Sequence, residues 1–145
     1  FMPLVREEAD EVHEAIFGEV NYHAAYEPKR TVRTDRYRYV KRFDDRTRPV
    51  MPNCDDSPSK EVWGEHGWRE RAVAEEALYD VVFDPIEVHN LADDPAYADV
   101  LADMRARLDR WMRETNDPLL NGPIAKPEGA VVNSVDGASA QETPE

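Results

Sequence analysis

The apolar residues Tyr97, Val100, Leu101, Met104, Leu108, Trp111 and Met112 recur at steps of three, one, three, four, three and one. That spacing places them on one face of a helix. Asp103, Arg107, Arg110 and Arg113 occupy the other face, and arginines late in a helix suit its negative end. Asp94-Pro95 supplies a capping acid and a first-turn proline at the start. A helix with one apolar face needs an apolar partner, so the rest of the chain must supply a surface for it. Docking is expected through Tyr97, Leu101, Met104, Leu108 and Trp111.

That surface is read as strands. Ala15 to Val20 is expected to be a short, largely buried strand, followed by an irregular stretch over Asn21 to Pro28. Thr31 to Phe43 is β-prone, with Tyr37, Tyr39 and Lys41 on one face and Arg36, Arg38 and Val40 on the other, the pattern of a half-buried antiparallel strand. Leu78 to Phe83 is a further strand. Between them, Ser57-Pro58 starts a short helix through Glu61, Val62 and Trp63. Asp84-Pro85-Ile86-Glu87 reads as a variant capping box opening a single helical turn that stops at Asn90. Strands first and a long helix last make an α+β domain over residues 15–118. Residues 1–14 are polar and read as a linker or helix remnant of a preceding domain. Residues 119–145, rich in Pro, Gly, Ala and acids, bury too little to offset their ordering entropy and are read as a disordered tail.

Composition removes several functions. The net charge of −13 argues against nucleic acid or an anionic membrane surface as a partner. No apolar run approaches the ~20 residues of a membrane helix. The first residue is Phe1 rather than Met, so the chain is expected to be processed or a piece of a longer one, and no compartment is assigned. Cys54 stands alone beside Asp55-Asp56, whose carboxylates oppose thiolate formation, and His13, His23, His66 and His89 have no metal-ligand spacing. Glycine-rich phosphate loops and Gly-x-Ser-x-Gly elbows are absent from the sequence. Asp55-Asp56 and Asp93-Asp94 precede helix starts, where capping accounts for them. Lys29 to Arg48 breaks the acidity with nine cations and three acids, 9 − 3 = +6. Such a stretch is a solvated strand face, a wall for an anionic group such as sulfate, or a match for acids elsewhere in the molecule.

Three stretches carry a family resemblance. Arg30-Thr31-Val32-Arg33-Thr34-Asp35-Arg36-Tyr37-Arg38-Tyr39-Val40 resembles a strand of the sulfatases. Leu78-Tyr79-Asp80-Val81-Val82-Phe83-Asp84-Pro85-Ile86-Glu87-Val88-His89-Asn90-Leu91-Ala92 resembles the signature near the end of the same enzymes. Trp111-Met112-Arg113-Glu114-Thr115-Asn116-Asp117-Pro118 is similar to the closing motif of the heparan N-sulfatase (sulfamidase) type. The likeness runs from about Ala15 to Pro118, within the alkaline-phosphatase-like superfamily.

The resemblance implies a C-terminal subdomain, a small antiparallel sheet with the long helix packed on one face. In that family the chemistry belongs to an N-terminal domain, with a formylglycine made from Cys/Ser-x-Pro-x-Arg beside a calcium. Cys54 is followed by Asp55-Asp56-Ser57, so it does not match, and no calcium pair is assigned. Formylglycine and calcium are therefore expected outside this chain, which alone is expected to be inactive. Its implied partners are the N-terminal sulfatase domain and a sulfated small molecule or glycan. His23, Tyr26 and Lys29, in the loop between two strands, are the substrate-binding candidates, because such side chains stack on a sugar ring and donate to anionic oxygens. Two alternatives stand beside this reading: a stand-alone acidic interaction module, and one half of a split sulfatase that assembles with a separate chain.

Overall fold

The computed structural model describes residues 1–142. Four strands, β1 (Ile16–Tyr22), β2 (Tyr26–Arg33), β3 (Tyr37–Arg42) and β4 (Glu76–Asp80), form an antiparallel sheet in the order β1-β2-β3-β4. One helical turn, α1 (Met2–Val5), precedes the sheet, and α2 (Pro58–Glu65) lies in the connection between β3 and β4. The long helix α3 (Ala98–Glu114) packs across one sheet face, giving the expected α+β architecture.

The register explains why the helix sits where it does. Phe17, Val32, Tyr39 and Leu78 are successive cross-strand partners and form one apolar row on that face. Leu101, Met104, Leu108 and Met112 of α3 are buried with Val32, Tyr39 and Leu78 in a single core. Trp111 stacks on Phe17 with ring centroids 5.1 Å apart, and Tyr97 meets Tyr37 edge-on at 6.5 Å. The opposite sheet face carries a row of small residues, Gly18, Thr31, Val40 and Ala77. Gly18 is tightly placed there, since a Cβ would lie 3.1 Å from the Thr31 methyl.

Several local expectations are corrected. The β-prone stretch is two strands, and β2 reaches back to Tyr26 through the segment read as irregular. Pairing with β1 pulls it into the sheet, and a register shift in this pairing accommodates Pro28, which lacks an N–H. β1 is an edge strand with Ile16 exposed, not a largely buried one. β4 ends at Asp80 because its carboxylate accepts from the Val82 and Phe83 amides and turns the chain. No helical turn follows Asp84. Glu87 adopts a left-handed φ of 56°, and Asp84 accepts from the His89 amide at 2.7 Å instead of capping a helix. Asn90 accepts from the Leu78 amide and donates to the Glu76 carbonyl, tying the returning chain to β4.

The helix starts behave as read. Ser57 accepts from the Lys60 amide at 3.2 Å, and Asp94 from the Ala96 amide at 2.9 Å. After α3, Asp117 accepts from the Leu119 amide and Leu119 enters the core. The following segment lies along the β1–β2 hairpin: the Tyr22 hydroxyl donates to the Ile124 carbonyl, and the Tyr26 hydroxyl accepts from the Ile124 amide. Farther on, the Asn133 amide donates to the Ala24 carbonyl. The last residues of the stretch read as a disordered tail, 143–145, lie outside the described residues.

Candidate functional site

The three loop candidates occupy one hairpin but different surroundings. His23 is exposed at the turn between β1 and β2, its amide donating to the Ala25 carbonyl. Tyr26 packs at 4.8 Å against the Tyr22 ring and lines a hollow with Phe43, Pro123 and Val135. Lys29 pairs with Glu27 at 2.6 Å and lines a groove on the helix-free sheet face. The structure brings Lys29 toward Arg42, its cross-strand partner, rather than toward His23 or Tyr26.

The cations of the Lys29–Arg48 stretch are matched largely by acids of the same chain. Arg30 is wholly buried and forms a two-pronged pair with Asp117, at 2.5 and 2.9 Å, and also donates to the carbonyls of Val20 and Lys29. Arg36 grips Asp80 at 2.8 Å, Arg38 grips both oxygens of Glu87, and Arg42 reaches Asp44. Arg46 pairs with Asp136 and Arg48 with Glu70. The positive stretch therefore faces the acidic remainder of the molecule.

These pairs join the motifs that carried the family resemblance. The first motif supplies Arg30, Arg36 and Arg38; the second supplies Asp80 and Glu87; the closing motif supplies Asp117. Asp80 and Asp117 also accept from backbone amides that turn the chain. The Arg36 fork, helped by the Val82 and Phe83 amides, holds Asp80 below the usual carboxylate range. Asp117 is lowered by Arg30 and the Leu119 amide against the opposing effect of burial. A third network sits above the core: the Tyr39 hydroxyl donates to Glu76, which also binds Arg105 of α3. Burial, then the contact with Glu76, raises the Tyr39 pKa, so the hydroxyl stays protonated as a donor.

The helix-free face presents the groove, about 520 Å³ in volume. Its floor includes Val40 and Ala77 from the small-residue row, and Lys29, Arg38, Arg71, Trp68 and Tyr79 stand around it. Lys29 stands among the loop candidates, whereas Arg38 entered only as one cation of the Lys29–Arg48 stretch, although its alternation with Tyr37 and Tyr39 already placed it on this face. Trp68 and Arg71 come from the long β3–β4 connection and had no pattern to announce them. The groove offers cationic donors and aromatic faces, which recognise anions and sugar rings. Cys54 Sγ contacts the Asp55 carbonyl at 3.9 Å, a weak contact that activates nothing. Among the described residues, no three His, Cys, Asp or Glu side chains converge as a metal site.

No family model matches the chain. The chain is 28% identical over 138 residues to an ulvan-active sulfatase of Formosa agariphila, covering 89% of this chain and 28% of the relative. It is 31% identical over 134 residues to the N-sulphoglucosamine sulphohydrolase of Homo sapiens, covering 80% of this chain and 26% of that enzyme. The chain is a homologue of the sulfatases. It spans about a quarter of the length of the curated relatives it matches. The sulfatase fold is also seen in solved structures. A 2-O GAG sulfatase superposes with a TM-score of 0.58 at 24% identity, covering 97% of this chain and 26% of that one. A protein solved with its substrate D-glucosamine-2-N,6-O-disulfate gives 0.52 at 16% identity, covering 82% and 19%.

Proposed function

We propose that this chain is the C-terminal region of a sulfatase, completing the fold and one rim of the substrate pocket of an enzyme that hydrolyses sulfate esters or N-sulfate groups. The observation that carries the reading is the pairing of coverages: homology runs over 80–89% of this chain but 26–28% of the sulfatases it matches. The three motifs are spent on mutual ion pairs, which suits a supporting subdomain. The chain contains no Cys/Ser-x-Pro-x-Arg sequence to supply a formylglycine. In this reading the nucleophile and the calcium belong to the N-terminal domain, carried by the same polypeptide or by a separate one. A formylglycine there would supply the nucleophile, and a calcium the positive charge that a sulfate group needs.

The role of this chain is then binding and orientation. His23 at the hairpin turn and Lys29 at the groove each present a donor to separate anionic oxygens of a sulfated small molecule or glycan, and Tyr26, in its own hollow, presents a ring face to a sugar. His23→Ala and Lys29→Ala in the complete enzyme test this. Both are expected to lower kcat/KM with nearly unchanged melting temperature, because His23 is exposed and Lys29 is bonded to a neighbour on its own strand. Unchanged kinetics, or losses that track unfolding, would leave these residues as packing between the sheet and the neighbouring domain.

A further inference from the structure

The turn after β4 is built against the usual economy of a surface loop. Val82, Phe83, Ile86 and Val88 are 57, 79, 79 and 56% exposed, an apolar group within seven positions. The backbone that carries them is nevertheless held firmly. Asp80 accepts from the Val82 and Phe83 amides while bound by Arg36, and the Arg36 guanidinium lies over the Phe83 ring at 5.3 Å. Asp84 binds the His89 amide, Glu87 is clamped by Arg38 in a left-handed conformation, and Asn90 anchors the far end to β4. A loop that was merely solvated would bear polar side chains on a loose backbone. This one presents apolar side chains outward on a rigid frame, the arrangement of a preorganised contact surface.

The turn also continues into the helix-free sheet face, since Glu87 and Val88 line the same groove as Val40, Ala77 and Tyr79. One layer of helix covers the other face, while a sheet of this kind buries both faces when a second layer is available. The relatives are nearly four times longer than the part matched here, so their fold contains the material for that layer. A second copy of this chain would bring a net charge of −13 against another of the same sign.

We propose that the apolar turn 82–88, with the adjoining groove, is the seat of the catalytic sulfatase domain, Phe83 and Ile86 being its principal anchors. This rests on the reading of the chain as a sulfatase C-terminal region and adds the surface through which it joins the rest. The probe is the N-terminal catalytic region of the same enzyme, released from the co-folded pair and shown by circular dichroism to keep its fold. Its binding to the chain is measured by calorimetry beside its sulfate-ester turnover, with sedimentation velocity on the chain alone. Phe83→Ser combined with Ile86→Ser is expected to weaken binding ~100-fold. The melting temperature of the chain should be unchanged, since both side chains are exposed, and Phe83→Leu should retain most of the affinity. Wild-type affinity in the double variant, or no binding by the parent chain, would overturn the proposal. So would self-association of the chain that the double variant abolishes, which would make a second copy the occupant. Binding that depends on Phe83 and Ile86 but yields no turnover would keep the seat and retire the sulfatase reading; turnover with insensitive binding would do the reverse.

Discussion

Replacing Asp117 by Ala strikes the bond that fastens the end of α3 to the middle of the sheet. Arg30 is 0% exposed and Asp117 3%, so the variant leaves a guanidinium in the interior with only Glu19, 3.7 Å away and more than half exposed, to match it. Breaking a buried pair from one side costs about 3–5 kcal/mol, more than a surface bridge by several-fold. The Leu119 amide loses its acceptor as well, worth about 1 kcal/mol more. A loss of this size is a large share of the 5–15 kcal/mol typical of a domain. With roughly 3–5 °C per kcal/mol for this size, the melting temperature should fall by ~10 °C or more. Replacing both partners together, Arg30→Met with Asp117→Leu, should recover much of the loss, because no unpaired charge stays buried.

The pH dependence has a definite sign. Asp117 is held below its ordinary value by Arg30, so its contribution is fully present above the unfolded carboxylate pKa of about 3.9. It is lost as the pH falls through the lowered folded-state value. The gap between parent and Asp117→Ala should therefore be constant from pH 7 to about 5 and close in stronger acid. Chemical denaturation of both proteins across that range measures it. A single variant within 1 kcal/mol of the parent at pH 7, or a gap that widens in acid, would refute the reasoning.

Other perturbations have equally plain outcomes. Leu108→Ala removes a buried side chain from the centre of the α3 face and should cost about 2–5 kcal/mol in urea titration. Ser57→Ala deletes the cap of α2 and should cost about 1 kcal/mol while leaving the sheet intact by circular dichroism. Asn90→Ala frees the Leu78 amide and the Glu76 carbonyl together, so amide exchange at Leu78 should accelerate well beyond that of Val32 in the sheet interior.

The parts of the fold that the sequence made legible are those with a long period or a local signal. The α3 face was readable because Leu101, Met104, Leu108 and Met112 repeat over several turns, and Ser57 and Asp94 because a capping side chain acts within three residues. Strand limits were not, since they depend on partners far along the chain: Tyr26 is strand because β1 lies beside it, and the Asp80 carboxylate that turns the chain after β4 is held in place by Arg36, 44 residues earlier. The same distance hid the pairing of Arg30 with Asp117, 87 residues apart. Both residues stand in motifs that resembled the sulfatases, and their opposite charges were the available clue. Arg38 shared a strand face with Val40 in plain view, but a groove needs the long connection that brings Trp68 and Arg71 over it, and nothing local forecasts that approach.

Sulfate hydrolysis with and without the catalytic region decides whether this chain is the supporting part of a sulfatase. An aryl sulfate is offered to this chain alone, to the N-terminal catalytic region alone, and to the two combined. This chain alone should give no turnover and the two together full turnover, with the catalytic region alone impaired for want of its supporting sheet and pocket rim. Turnover by this chain alone, abolished by substituting one of its own residues, would contradict that role, as would a catalytic region equally active and equally stable without this chain.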